Sequence, residues 1–225
     1  MDTMLKGKKV IITSGGTLEK WDNVRGHTNL SKGVMGCYLA EAALAAGAEV
    51  IYMHGYFAKL PNGKEQMRII AFEGIIDLGD KLKEIVQAET VDVVIMAVAG
   101  SDWLVDKVFD QQGNEMTEKG KMPSDEPPII QFKKAPKILS QIKTWAPNTT
   151  LVGFKLEATD DVNELLGRAK IRMDSSDATL MVANSSKSLY GGGEPHFILF
   201  KDGNFVQTDG KKRTAIELIE VLNQI

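Results

Sequence analysis

The sequence predicts an α/β fold: a mostly parallel sheet with helices on both faces, closed by a C-terminal β-hairpin and helix. Three observations carry this prediction. Short apolar, β-branched runs alternate with segments of helical periodicity. The runs are apolar nearly throughout, as strands covered on both faces must be. Small, polar or charged residues follow several of them, where an open parallel sheet presents its strand ends to a ligand.

The elements follow in order. VIIT (10–13) reads as a strand and SGGT (14–17) as a turn. From Gly33 the residues Met35, Leu39, Ala42, Ala43 and Ala46 fall at helical spacing, and Gly47 stands where a helix terminator belongs. AEVIYMHG (48–55) completes a strand–helix–strand unit. The unit recurs as MRIIAF (67–72), a helix over 75–89 and VDVVIMAVA (91–99). Then come IIQF (129–132), a helix from Pro136, LVGFKL (151–156), a helix over 161–173 and ATLMVAN (178–184). Residues 196–207 hold two strand-like runs around Asp202-Gly203, a hairpin signal, and a final helix spans 211–224. One domain over 1–225 is expected. Residues 103–128 resist assignment, being polar and broken by Gly113, Gly120, Pro123, Pro127 and Pro128. They read as a flexible flap over a site or as a surface excursion.

Composition excludes several classes. With 225 residues and a net charge of −3 there is no overall basic field to recruit nucleic acid or an anionic membrane. No run approaches the roughly 20 apolar residues of a membrane span. The lone Cys37 excludes an internal disulfide and reads as a small buried hydrophobe rather than a reactive thiol. The opening residues lack a signal-peptide pattern, so a cytoplasmic location is expected. His27, His54 and His196 have no metal-ligand spacing, which rejects a structural zinc site.

Candidate site residues sit at the strand ends: TSGGT (13–17), AGSDW (99–103), GFKLE (153–157) and ANSS (183–186). Gly15 and Gly16 let backbone N–H groups approach a phosphate without Cβ interference. The turn is neither G-x-G-x-x-G nor a Walker loop. In HTNLSKGVMG (27–36), Ser31 reads as a helix N-cap, with Gly33 and Gly36 keeping the helix start open to an anion. Capping and packing alone explain those three residues, but not Asn29 or the preceding Arg25. Asp102 reads as a turn residue or a site residue. Lys119, Lys121, Lys133, Lys134 and Lys137 read as solvated surface or, one or two of them, as phosphate partners.

Taken together, ITSGGTLEKWDNVRGHTNLSKGVMGCYLAEAALAAGAEV, MAVAGSDW, EKGKMPS, KKAPKIL, VGFKLE and VAN resemble the phosphopantothenate–cysteine ligase family, in order and over essentially the whole chain. The resemblance implies a Rossmann-like fold, a homodimer, and activation of 4′-phosphopantothenate by a nucleoside triphosphate before amide formation with L-cysteine, in coenzyme A synthesis. It implies Mg2+ with the nucleotide, and CTP rather than ATP, although GFKLE is closer to the eukaryotic, ATP-using pattern. Because the first strand opens the chain, the stand-alone form is expected.

By the same resemblance Asn29 holds the acyl-nucleotide, and Arg25 reaches the substrate phosphate from the partner subunit. Gly15, Gly16, Ser31, Gly33 and Gly36 contact phosphates. Ala99 and Asp102 contact nucleotide and substrate, and Phe154 and Asn184 lie near the base. Lys121, with Lys119, is the flap lysine that approaches the triphosphate. The lysine that bacterial members carry before the Ala-Asn block is missing; only Lys170 and Arg172 stand nearby, and Lys170 is the residue expected to contact the nucleotide there. A nicotinamide-dependent reductase would need a Gly-x-x-x-Gly-x-Gly turn and a Tyr-x-x-x-Lys pair, and neither is present. A nucleotide-binding module would explain the glycines but not Asn29 with Arg25.

Overall fold

A computed structural model describes residues 5–116 and 120–225. The chain opens with β1 (Lys9–Ser14), a short hairpin of β2 (Leu18–Lys20) and β3 (Gly26–Thr28), α1 (Val34–Ala45) and β4 (Glu49–His54). β5 (Arg68–Ala71), α2 (Ile75–Ala88) and β6 (Val93–Met96) follow, then a ribbon of β7 (Trp103–Phe109) and β8 (Ile129–Lys134). The rest is α3 (Ile142–Trp145), β9 (Thr150–Glu157), α4 (Val162–Ser176), β10 (Leu180–Ser185), β11 (Pro195–Phe200), β12 (Phe205–Asp209) and α5 (Lys211–Leu222).

Eight strands make one sheet in the order β12-β11-β10-β9-β6-β1-β4-β5. β5 through β10 in that row are parallel, and the β11–β12 hairpin adds the antiparallel edge. This is the expected Rossmann-like fold. After β1 the chain builds outward through β4 and β5; it then returns to β6 and builds the other way. The reversal leaves a crevice at the carboxyl ends of β1 and β6, the usual ligand position in such sheets. At the hairpin tip Gly203 takes φ 89° and the Asp202 carboxylate accepts from the Asn204 amide at 2.9 Å.

Successive residues of each strand enter opposite layers. Ile11, Ile51, Val94 and Leu151 pack with Leu78 and Leu82 of α2 and Leu165 and Met173 of α4. Val10, Ile12, Tyr52 and Ile95 pack with Leu39 and Ala43 of α1 and Leu218 and Leu222 of α5. Burial of each such aliphatic side chain stabilises the fold by about 1.5–3 kcal/mol. Among the described residues no helix is long and apolar enough to cross a membrane.

Four expectations are corrected. IIQF does not join the central sheet, because among the described residues β8 pairs only with β7, in a two-stranded ribbon of its own. Residues 103–109, expected within the unassigned stretch, form the other strand; Asp106 and Lys107 interrupt their apolar pattern at a register shift. The helix from Pro136 is a 3-10 turn over 138–141 and the single turn α3. Pro147 disfavours helical backbone at Ala146, which takes φ −139° and ψ 80°. The N-cap of α1 is Gly33, at φ 72°, not Ser31, whose hydroxyl accepts from the Gly33 amide at 3.4 Å.

Gly36 sets how closely α1 approaches β1. A Cβ there would lie 2.1 Å from Ser14 Oγ and 2.4 Å from Ser14 Cβ. Ser14 is fully buried, donates to the Gly33 carbonyl at 3.1 Å and lies 2.8 Å from the Tyr52 hydroxyl, so it has no room to yield. Gly167, on exposed α4 surface, has open space where a Cβ would go. Alanine gains about 1 kcal/mol of helix propensity at either site, whereas overpacking costs about 1–3 kcal/mol. Gly167→Ala is therefore expected to raise the urea midpoint and Gly36→Ala to lower it, with unchanged slopes.

Candidate active site

The crevice is built from main chain. β1 ends at Ser14, and Gly15 turns the chain with φ 83°, a conformation that favours glycine. The Ala99 amide donates to the Gly15 carbonyl at 2.8 Å, the Thr17 amide to the Ala99 carbonyl at 3.4 Å, and the Ser101 amide to Thr17 Oγ1 at 2.9 Å. The turn after β1 and the loop after β6 are thus laced together across the point where strand order reverses. Gly16 is needed for a third segment: a Cβ there would lie 2.6 Å from the Asn29 carbonyl oxygen.

Asn29, just past β3, donates through Nδ2 to the carbonyls of Ala99 at 2.9 Å and Gly100 at 3.2 Å. Both partners are acceptors, which fixes the orientation of the carboxamide. Asn29 is exposed, and the first turn of α1 stands beside the same turn, since a Cβ on Gly33 would lie 3.2 Å from the Gly15 nitrogen.

A buried polar cluster supports that turn from behind. The Tyr52 hydroxyl lies 2.8 Å from Ser14 Oγ and 2.9 Å from the Lys59 carbonyl, with Cys37 Sγ at 3.4 Å. Burial pushes the Tyr52 phenol and the Cys37 thiol above their ordinary ranges. Cys37 is the buried small residue expected of it.

The other expected residues divide into groups. Arg25 lies in the β2–β3 turn; its guanidinium donates to the Met122 carbonyl at 3.2 Å, to Asp22 Oδ2 at 3.3 Å and to Ser124 Oγ at 3.4 Å. It is held by its own chain rather than carried on a free loop. Lys121 is exposed beside Met122, and Lys119 lies outside the described residues. Asp102 forms an exposed ion pair with Lys137. Phe154 and Asn184 occupy adjacent strands; Phe154 is half-buried on the α1–α5 side, and Asn184 donates to Ser188 Oγ at 2.6 Å. Lys170 is not brought to the crevice. It sits eight residues into α4, about 12 Å along the axis from the helix start, and pairs with Asp174.

Two residues near the crevice escaped sequence reasoning. Asp22 accepts the Met122 amide at 2.9 Å; its only local signal is the short polar turn it opens. His27 receives the Trp21 indole N–H on Nδ1 at 3.1 Å, which leaves Nε2 as the donor toward Ser101 Oγ and the Trp103 carbonyl, both at 3.3 Å. Only the tertiary fold brings these partners together. Among the described residues no group of three or more His, Cys, Asp or Glu side chains gathers as a metal site.

Comparison with known proteins gives a consistent result. A family model described as the DNA/pantothenate metabolism flavoprotein C-terminal domain matches residues 5–225. The coenzyme A biosynthesis bifunctional protein CoaBC of Thermococcus kodakarensis is 31% identical over 195 residues, covering 87% of this chain and 45% of that protein. The protein of the same name from Bacillus subtilis is 32% identical over 204 residues, covering 89% and 47%. The chain therefore spans about half the length of these curated relatives. The structure of the DNA/pantothenate metabolism flavoprotein from Streptococcus pneumoniae superposes with a TM-score of 0.86 at 27% identity, covering 97% of this chain and 99% of that one.

The buried thiol yields a direct test. With its pKa raised by burial, Cys37 stays protonated at neutral pH, and the thiol is a poor nucleophile. Iodoacetamide labelling of native protein at pH 7.5 should be slower than that of denatured protein by about tenfold or more. Equal rates would show a Cys37 that is as accessible, and ionises as readily, as in the unfolded chain.

Proposed function

Because the chain belongs to the DNA/pantothenate metabolism flavoprotein C-terminal domain family, we propose that it is a phosphopantothenate–cysteine ligase acting in coenzyme A biosynthesis. The single observation that carries this reading is the convergence of the Gly15–Gly16 turn, the Ala99–Gly100 carbonyls and the Asn29 carboxamide in the switch-point crevice. Such a site suits a nucleotide whose phosphates meet backbone N–H groups and whose chemistry is charge stabilisation rather than nucleophilic attack by the protein.

The reaction requires activation, because a carboxylate offers no leaving group to an amine. In the proposed sequence a carboxylate oxygen of 4′-phosphopantothenate attacks the nucleotide α-phosphorus and pyrophosphate departs. The amine of L-cysteine then attacks the acyl carbon, releasing the nucleoside monophosphate and a proton. Gly15, Gly16, Ser31, Gly33 and Gly36 border the phosphates, and Lys121 with Lys119 neutralises charge as it builds. Ala99 and Asp102 meet nucleotide and substrate; Phe154 and Asn184 meet the base. To donate to the acyl-nucleotide, Asn29 releases the Ala99 and Gly100 carbonyls, exchanging one pair of acceptors for another.

The nucleotide is CTP rather than ATP. Mg2+ supplies charge compensation on the phosphate oxygens when it is bound with the nucleotide. The residues fit an ion held chiefly by the nucleotide: Asp102 is already paired with Lys137, and Mg2+ needs few protein ligands in such sites. The enzyme is cytoplasmic, acts as one domain over 1–225 and is a homodimer without nucleic-acid or membrane partners. The dimer is supported by the exposed Trp103, Ile129 and Phe132 on the β7–β8 ribbon.

Pyrophosphate release is expected on mixing the chain with 4′-phosphopantothenate and CTP, faster than with ATP, GTP or UTP. Asn29→Asp replaces the donors by a second anion, so kcat should fall by about 10²–10³ with KM little changed. A normal kcat, or a loss matched by a fall in melting temperature, would remove Asn29 from catalysis. Arg25 is proposed to reach the phosphopantothenate phosphate of the partner's site, exchanging its contacts at 122–124 for it. Mixed Arg25→Ala and Asn29→Ala subunits should then regain activity in heterodimers, and exchanged mixtures that stay inactive would refute a shared site.

A further inference from the structure

Met122 is held through both backbone polar groups by residues distant in sequence. Its amide donates to Asp22 Oδ2 at 2.9 Å, its carbonyl accepts from Arg25 Nη1 at 3.2 Å, and its side chain is buried. Asp22 and Arg25 also meet each other at 3.3 Å, so the carboxylate, the Met122 backbone from N–H to C=O and the guanidinium close a ring. The other Asp22 oxygen accepts the Val24 amide at 2.7 Å and the Arg25 amide at 2.6 Å. With 2% of its side chain exposed, Asp22 spends its acceptor capacity on this turn and on Met122.

Arg25 holds one peptide unit through the Met122 carbonyl, while the unit that Asp22 holds, the one before it, joins Met122 to Lys121. Its N–H belongs to Met122 and its carbonyl to Lys121, so a fixed Met122 amide fixes the plane from which Lys121 departs. On the other side of the clamp, β2 pairs with β3, which ends one residue before Asn29. One small hairpin thus carries Asn29 at its end and the hold on the Lys121 segment at its turn.

We propose that Asp22 is a positioning residue, which fixes the Lys121 segment to the hairpin that carries Asn29. This rests on the ligase reading, in which Lys121 meets the triphosphate. Asp22 touches no reacting atom. It holds a lysine that would otherwise hang from an irregular run of exposed residues, Pro123 to Pro127. The charge of the carboxylate is favoured by the same contacts. The Met122 amide first, then the amides of Val24 and Arg25 and the Arg25 charge, hold it below the usual carboxylate range.

The test uses Asp22→Asn and Lys121→Ala in the full chain, singly and together. Asparagine keeps one oxygen for the turn but sets an N–H2 group against the Met122 N–H. Amide exchange over residues 120–126 should accelerate on the order of tenfold, as for loss of one hydrogen bond to a charged group, while core exchange is unchanged. Each single variant should lower the rate of pyrophosphate release. The double variant should be no slower than Lys121→Ala alone, because Asp22 acts through Lys121. If Asp22→Asn does not fold, Asp22→Ser keeps an acceptor for the turn without reaching Met122 and reads the same cycle.

Multiplying losses in the double variant, or unchanged exchange over 120–126, would overturn the proposal with the ligase reading intact. Full activity of Lys121→Ala would also overturn it. An unmodified chain that forms no pyrophosphate would sink the ligase reading and the role of Asp22 with it, whatever the exchange showed.

Discussion

The close approach of α1 to the end of β1 is the constraint on which the crevice depends. Gly33 and Gly36 present no side chain to Ser14, and a Cβ on either would lie within 2.6 Å of its hydroxyl. Removing that steric barrier lets the helix start stand directly beside the Gly15 turn. Glycine is an expensive choice inside a helix, by about 1 kcal/mol relative to alanine, so its presence at Gly36 marks a contact that matters more than propensity. The buried hydroxyls of Ser14 and Tyr52 occupy the space and satisfy each other's polarity, which keeps the approach from leaving an unpaired group.

Around this fixed corner the remaining parts are held by main-chain polarity. The loop after β6 cannot drift from the turn after β1, because Gly15, Thr17, Ala99 and Ser101 bond across the gap. Asn29 closes the third side. Each such bond contributes only about 0.5–1.5 kcal/mol net, but they share one set of short segments and are lost or kept together. His27 extends the lacing from the hairpin to the Ser101–Trp103 loop, with its tautomer set by the Trp21 indole.

The charges near the site differ in weight. Asp102 with Lys137 is an exposed pair, and such pairs contribute little to stability. Asp22 is buried and multiply bonded. Because its folded pKa is lowered, its stabilising effect is present above the ordinary carboxylate range and is lost as pH falls through the lowered value. The clamp on Met122 is therefore intact at neutral pH. Glu89, between Lys9 and Arg68 at the opposite end of the sheet, has its pKa lowered in the same direction by the Lys9 ammonium and then the Arg68 guanidinium. Its contribution follows the same sign.

The sequence by itself determined the parallel sheet, the order of its strands along the chain, the C-terminal hairpin and the glycine-bearing strand ends. These are local or periodic properties: apolar runs such as VIIT and VVIM, the spacing of Leu39 to Ala46, and the Asp202-Gly203 turn each act through near neighbours. What only the tertiary structure decided was which segments meet. β8 reads as one more apolar strand, yet it pairs with β7 outside the sheet, because partner choice depends on edges that exist only after folding. Ser31 has the right residue type for a cap, but Gly33 takes the place, since the contact with Ser14 outweighs a side-chain bond. Lys170 looks near the Ala-Asn block in sequence, and the direction of α4 carries it away. Asp22 and Met122 are 100 positions apart, and no local pattern announces a hydrogen bond between them. Periodicity and turn chemistry are written residue by residue, whereas long-range hydrogen bonds are created by the packing itself.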